Sequence, residues 1–311
     1  MKTRRRMMLI VNPIAGSVAR HDAARYARQE AELMGYDVTV CETEYAGHAT
    51  ELAQQAVRDN YYSVVACGGD GTVNEVARGV CGSRVVMGII PLGSGNGLAR
   101  HLGIPLTVPG AMKVIAEDRV LDADYGVANG RPFFCTFGLG FDANVTDKFN
   151  SHQFNGRGLI NYLRAVFEEI ISYRPERYTI IADGKAMTEE ALLVACCNAS
   201  QYGNNAFIAP NASLKDGLLD VTIVHKGNLL DTVRAGAEVL TGMVGKSGAV
   251  STFRARNIRI ERKSDGAAHF DGEPATLPDI VQVECHNAGL RLYSTEKKQK
   301  MKAMLAPEIP I

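Results

Sequence analysis

Ser63-Val64-Val65-Ala66-Cys67-Gly68-Gly69-Asp70-Gly71-Thr72-Val73-Asn74-Glu75 is the stretch on which the fold turns. A short apolar run breaks into a glycine-rich turn, and helical character resumes after it. Glycines lack a Cβ, so backbone N–H groups there can approach phosphate oxygens closely. A helix starting near Thr72 would point the positive end of its dipole at the same place. Asp70 sits in mid-loop and offers the oxygen ligands that magnesium prefers. Taken alone, Gly-Gly-Asp-Gly is more often a tight turn whose Asp caps the following helix.

Moving outward, the same punctuation recurs on both sides. The apolar run 7–11 ends in Asn12-Pro13-Ile14-Ala15-Gly16-Ser17, and the run 85–92 ends in Gly93-Ser94-Gly95-Asn96-Gly97. Helical segments at 19–34 and 49–58 and a further strand at 37–42 alternate with these runs. That alternation predicts a parallel sheet with crossover helices, with three glycine-bearing loops at the carboxyl ends of strands, the edge where open α/β sheets bind ligands. Three such loops outweigh the bland reading of any one of them.

After about residue 121 the pattern changes. Strand-like runs at 131–137, 177–182, 191–197, 219–225, 253–262, 280–285 and 290–294 are interrupted by helical inserts at 158–172 and 228–243. Many short strands predict an antiparallel sandwich. The expected division is an α/β domain over 1–122, a β-rich domain over 123–295 and a tail over 296–311, with a return to the first domain near the C-terminus left open. The tail carries Lys297, Lys298, Lys300 and Lys302 and reads as a solvated segment or a short amphipathic helix.

Composition narrows the function classes. The 311 residues carry 34 Lys+Arg against 34 Asp+Glu and are 46% hydrophobic, which argues against disorder and against a polybasic nucleic-acid binder. No apolar run approaches the roughly 20 residues that span a bilayer. The basic opening through Arg6 is followed by an apolar run too short for a signal peptide. Seven cysteines, an odd number without C-x-x-C spacing, read as reduced core thiols of a cytoplasmic protein.

Competing phosphate motifs fail on spacing. A dinucleotide fingerprint starting at Gly93 needs glycine at 98 and meets Leu98. Gly245-Lys246-Ser247 resembles the end of a P-loop, but its first glycine would fall on Leu240, after a helical stretch instead of a strand. His48 and His101 read as structural, and Phe133, Phe134, Phe137 and Phe141 as core residues that could at most flank an acyl chain.

Together, Asn12 to Gly16, Gly68 to Glu75, Pro91-Leu-Gly-Ser-Gly-Asn-Gly-Leu-Ala-Arg100 and, far downstream, Asp271-Gly272-Glu273 resemble the diacylglycerol kinase catalytic family, which includes bacterial lipid kinases and the sphingosine and ceramide kinases. The resemblance runs over nearly the whole chain, in order. It implies an N-terminal domain like those of 6-phosphofructokinase and NAD kinase, a C-terminal β-sandwich, and an ATP site in the cleft between them. Carried over by motif, ATP contacts fall on Asn12, Pro13, Ile14, Ala15, Gly16, Thr43, Gly69, Asp70, Gly71, Thr72, Val73, Asn74, Glu75 and Ser94. A structural magnesium falls on Ser213, Asp216 and Leu218, the carboxylate coming from Asp216 and backbone carbonyls from the other two. Glu273 is the implied general base, with Asp70 positioning metal and Asp271 the other catalytic carboxylate.

Two departures stand out. Ala15 replaces a serine of several bacterial relatives. Gly97 stands where they carry Asp or Glu, which brings that motif closer to the sphingosine and ceramide kinase version. The expected reaction is transfer of the γ-phosphoryl of ATP to a lipid hydroxyl, with diacylglycerol, giving phosphatidic acid, as the leading acceptor. A sphingoid base or ceramide is second. NAD kinase and a non-catalytic nucleotide or lipid sensor are the alternatives. The expected setting is the cytoplasm, with peripheral contact at the inner face of the membrane and no nucleic-acid partner. Lys2 to Arg6 and the tail lysines would favour anionic lipid. Nothing in the sequence counts subunits, and a homodimer is carried as an open expectation.

Overall fold

The computed structural model describes residues 4–14, 20–141 and 174–295. The chain forms two compact units. The first takes in residues up to 125, 214–216 and from 287 onward, and the second 126–213 and 217–286. Where the sequence suggested a boundary at 122, a single strand runs on from the first unit into the second.

The first unit opens with β1 (Arg6–Val11), α1 (Arg20–Leu33), β2 (Asp37–Glu42), α2 (His48–Arg58), β3 (Ser63–Gly68), α3 (Asp70–Val80), β4 (Val86–Pro91), α4 (Gly97–Leu102) and α5 (Val108–Ala116). Its sheet has the order β4-β3-β1-β2, all parallel. β3 and β4 are buried at every position, as strands covered on both faces must be, whereas edge strand β2 has no buried residue. Alanines 49, 53 and 56 line the buried side of α2, and α3 meets it closely: a Cβ on Gly79 would stand 2.5 Å from the Cβ of Ala53. The segment after residue 287 completes this unit. Leu292 pairs in parallel with Met87, and the Gly289 carbonyl accepts the Gly82 N–H at 2.7 Å.

The second unit is built from β5 (Val120–Ala128, shared with the first), β6 (Arg131–Phe133), β7 (Thr136–Gly140), β8 (Glu176–Ala182), β9 (Lys185–Cys197), β10 (Leu219–His225), α6 (Leu229–Thr241), β11 (Val250–Ala255), β12 (Asn257–Glu261), β13 (Gly266–Phe270), β14 (Glu273–Leu277) and β15 (Ile280–Tyr293, whose end belongs to the first unit). The strands run antiparallel in the order β14-β13-β7-β9-β8-β12-β15, with β10 joining β9 to β11. β9 feeds two cores by the two-residue period of a strand. Val194 and Cys196 enter one with Phe137, Tyr178 and Phe270, and Leu193, Ala195 and Cys197 enter the other with Ile208 and Val250. The four phenylalanines at 133, 134, 137 and 141 are buried, as the bland reading has it.

Four runs differ from the sequence expectation. The run 131–137 breaks after Phe133 because the N–H groups of Phe134, Cys135 and Thr136 turn to the carboxylate of Asp271. The run 253–262 breaks at Arg256, where the N–H groups of Arg256 and Asn257 turn to Asp183. The runs 280–285 and 290–294 are one strand, β15. The sequence reading also passed over α5, whose first turn is capped by Thr107, the side chain accepting from the Gly110 N–H. The helix expected at 158–172 lies outside the described residues.

Among the described residues no helix is long and apolar enough to cross a membrane. All seven cysteines are free thiols, and burial pushes Cys67 and Cys196 up to about 12, which leaves both thiols protonated and inert at neutral pH.

Candidate functional site

The parallel order of β4, β3 and β1 sets the loops that follow them along one edge of the first unit's sheet. The loops after β3 and β4 are packed backbone against backbone. A Cβ on Gly93 would lie 2.6 Å from the Cα of Gly69, and one on Gly95 would lie 2.6 Å from Oδ2 of Asp70. Only glycine allows this approach. Asp70, the first residue of α3, then ties the loops together. Its Oδ2 accepts the Asn96 N–H and its Oδ1 the Gly97 N–H, each at 2.7 Å.

Asn96 completes the tie from within its own loop. It is buried, adopts a left-handed conformation at φ 52°, accepts the Gly93 N–H at 3.1 Å and donates to the Gly93 carbonyl at 2.6 Å. Arg100 Nε donates to the Gly95 carbonyl at 2.9 Å. Ser94 is exposed at the tip. Gly71 is exposed too, and a Cβ there would meet nothing within 4 Å, so the outer face of the α3 N-terminus is open.

The remaining expected nucleotide residues divide into outward and supporting groups. Asn12 follows β1, donates from Nδ2 to the Thr72 hydroxyl at 3.2 Å and accepts the Ile14 N–H at 3.0 Å, which curls the first loop toward α3. Pro13 and Ile14 are exposed, whereas Ala15 and Gly16 lie outside the described residues. Thr43 follows β2 at the same edge, its N–H donating to the Val11 carbonyl at 2.9 Å. Thr72, Val73 and Asn74 are buried on α3. The carboxylate of Glu75 is engaged by the N–H groups of Gly47 and Ala49 at 2.9 and 3.1 Å, so it caps the start of α2 and holds the loop after Thr43. Asn74 is 3% exposed, and its Nδ2 has no hydrogen-bond partner among the described residues.

In the second unit, Asp271-Gly272 is the two-residue turn joining β13 to β14, with φ of 52° and 85°, the left-handed pair that makes Asp-Gly a hairpin signal. Asp271 staples this turn to the start of β7. Its carboxylate accepts the N–H groups of Phe134, Cys135 and Thr136 at 2.8, 2.6 and 2.8 Å, and its own N–H donates to the Thr136 carbonyl. Burial pushes this carboxyl above the usual carboxylate range, against the pull of those three donors. Glu273 directly follows the turn. Its side chain is about one-third exposed and forms an ion pair with Arg131 at 2.5 Å. The Arg131 guanidinium lies 4.4 Å above the Phe270 ring. Sequence reading passed over Arg131 entirely, since nothing in its neighbourhood marks it and its partner is 142 residues away.

Other expectations fare differently. Asp216 is exposed in the turn before β10, with Ser213 and Leu218 half-buried nearby in the chain. Among the described residues no group of three or more His, Cys, Asp or Glu side chains gathers to hold a metal. Within the basic opening, Arg5 pairs with Asp118 at 2.8 Å and lies over Tyr62, and Arg6 lies over Tyr61, whereas Lys2 and the lysines of the tail lie outside the described residues. The segment 245–247 wraps a carboxylate of its own chain, the N–H groups of Gly245 and Ser247 donating to Glu238 at 2.8 and 2.6 Å. It is no phosphate loop.

Comparison with known proteins agrees with this architecture. A family model described as the diacylglycerol kinase catalytic domain matches residues 6–128, and one described as the YegS C-terminal NAD kinase beta sandwich-like domain matches residues 136–293. The chain is 29% identical over 272 residues to a diacylglycerol kinase of Bacillus subtilis (strain 168), covering 86% of this chain and 90% of that one. It is 30% identical to one of Staphylococcus aureus (strain bovine RF122 / ET3-1), covering 87% and 86%. Among solved structures, a diacylglycerol kinase from Bacillus anthracis str. Sterne matches with a TM-score of 0.75 at 22% identity, covering 96% of this chain and 99% of that one. An NAD kinase from Archaeoglobus fulgidus, solved in complex with ATP, matches with a TM-score of 0.54 at 11% identity, covering 97% and 100%. These two structures speak for the fold, an α/β part followed by a β-sandwich, as the sequence led us to expect.

Proposed function

Because the chain belongs to the diacylglycerol kinase catalytic family and is a kinase with an alcohol acceptor, we propose that it transfers the γ-phosphoryl group of ATP to the hydroxyl of diacylglycerol, forming phosphatidic acid. The observation that carries the proposal is the Asp70 tie. Two glycine loops are drawn together at the carboxyl edge of a parallel sheet by one carboxylate. This leaves the N-terminus of α3 open, an arrangement suited to phosphate.

The residues present fit the nucleotide and its metal. Gly69, Gly71 and Ser94 offer the loop face, Asn12 and Thr43 flank it, and the unpartnered Nδ2 of Asn74 leaves a buried donor to be satisfied. Asp70 spends one acceptor site of each oxygen on N–H groups, so its carboxylate retains capacity for a water of hydrated magnesium. When bound, Mg²⁺ would neutralise charge on the transferring phosphoryl group. In the second unit, Glu273 takes the proton of the acceptor hydroxyl as its oxygen bonds to phosphorus and the bond to the departing ADP breaks. Between the two carboxylates of the turn, the base is Glu273. Asp271 already accepts three N–H groups, and its role is to hold the turn. Asp216, with the carbonyls of Ser213 and Leu218, is proposed to hold a second, structural magnesium. The acceptor being a lipid, the protein is proposed to work from the cytoplasm by peripheral contact with the inner face of the membrane.

The test is incubation with labelled Mg-ATP and mixed micelles of diacylglycerol, sphingosine or ceramide, with NAD in a parallel tube. Labelled phosphatidic acid is expected, and Glu273→Gln should lower kcat by about 10²- to 10⁴-fold with the KM for ATP little changed. Label on sphingosine or ceramide alone would move the acceptor. Label in the NAD tube alone would move the reaction to a dinucleotide kinase.

A further inference from the structure

We propose that Arg131 is a positioning residue for Glu273, an inference that rests on reading Glu273 as the general base. A glutamate has three side-chain torsions, and a base must hold its oxygen close to one place to take a proton in the transition state. The backbone of Glu273 is fixed by the hairpin: it pairs with Phe270 across the turn, and Asp271 pins that turn to residues 134–136. None of this constrains the end of the side chain.

Arg131 does. Its Nη2 meets Oε2 of Glu273 at 2.5 Å, while its guanidinium lies 4.4 Å above the Phe270 ring, a side chain fully buried in the core. Its backbone is held in β6 by pairing with Ala128 of β5. The guanidinium is therefore located by a strand at one end and an aromatic face at the other, and it transmits that location to the carboxylate. Phe270 serves both ends, flanking the turn on the β13 side and supporting the cation. Lysine would supply the charge but not the planar group that stacks, so the geometry calls for arginine.

Steady-state kinetics on the full chain with Mg-ATP and diacylglycerol micelles test this through a double-mutant cycle of Arg131→Met and Glu273→Gln, with Arg131→Lys as a second variant. Denaturant midpoints establish that each variant folds. Arg131→Met should lower kcat by about 10- to 100-fold, with the KM for ATP within about twofold. Arg131→Lys should fall between it and the unaltered protein. In the Glu273→Gln background the same Arg131→Met change should cost less than about threefold, because its effect passes through the missing base. Equal losses in both backgrounds would make Arg131 a general structural residue and overturn the inference. So would unchanged kcat in Arg131→Met beside a crippled Glu273→Gln, which would leave the base assignment standing. Full turnover in Glu273→Gln would overturn the base assignment and this inference with it.

Discussion

Asp70 in the first unit and Asp271 in the second perform the same local act with different materials. Each carboxylate gathers backbone N–H groups from a segment remote in sequence, two for Asp70 and three for Asp271. Around Asp70 the partners are glycine loops whose backbones touch, and the working surface is the backbone itself. Around Asp271 the partners are buried, and the proposed working group is a neighbouring side chain, Glu273, ion-paired with Arg131. On the proposed reading, the first unit makes its site from missing side chains, and the second from side chains held in place.

The sharpest way to break that comparison is Asp70→Ala. If Asp70 both ties the loops and positions the metal, kcat should fall by at least about 10³-fold in the lipid-kinase assay. If it only ties them, the loss should track the fall in stability seen in denaturant melts. Gly93→Ala probes the backbone surface directly. Its new methyl would sit 2.6 Å from the Gly69 Cα, so the loops must part, and the KM for ATP should rise by about tenfold or more. Asp271→Asn should act mainly on folding. The amide presents a donor where the carboxylate received one, and the denaturation free energy should drop by about 2–3 kcal/mol, with the remaining folded protein still binding ATP.

The smallest effect is expected from Asp183, a control with the same local act outside the residues proposed for the chemistry. Burial raises its carboxyl pKa, but the N–H groups of Arg256 and Asn257 outweigh that and leave it below the usual range. A lowered folded-state value means that the unfolded chain holds the proton more tightly. The stabilisation is therefore present above the ordinary carboxylate value near pH 4 and fades as pH falls through the lowered folded value. Asp183→Asn should cost less than about 1 kcal/mol at pH 7 and nothing at the acid end. A cost that persists there would show that the hydrogen bonds, not the charge, matter at this exposed site.

Legibility from sequence follows the same divide. The glycine loops could be read because each is a contiguous run whose glycines advertise a backbone role, and the period of the apolar runs declared a parallel sheet. The strand breaks after Phe133 and at Arg256 could not be read, because the carboxylates that cause them lie 137 and 73 residues away. Arg131 was invisible for the same reason. Glu75 shows a subtler limit: its place in the motif suggested the nucleotide, while its hydrogen bonds go to the start of α2. A motif names a neighbourhood, and within it the sequence does not separate the residue that faces outward from the one that braces it.

The return of the chain to the first unit after residue 287 bears on the order of assembly during synthesis. The ribosome delivers β1 to α5 first, but Met87 waits for Leu292, and the Gly82 N–H for the carbonyl of Gly289. Tyr36 likewise waits for Tyr293, whose hydroxyl it meets at 3.2 Å in the buried core. The whole second unit emerges before these partners do. A nascent chain halted before residue 287 would thus carry all of the second unit's residues and a first-unit sheet whose β4 edge is still unpaired.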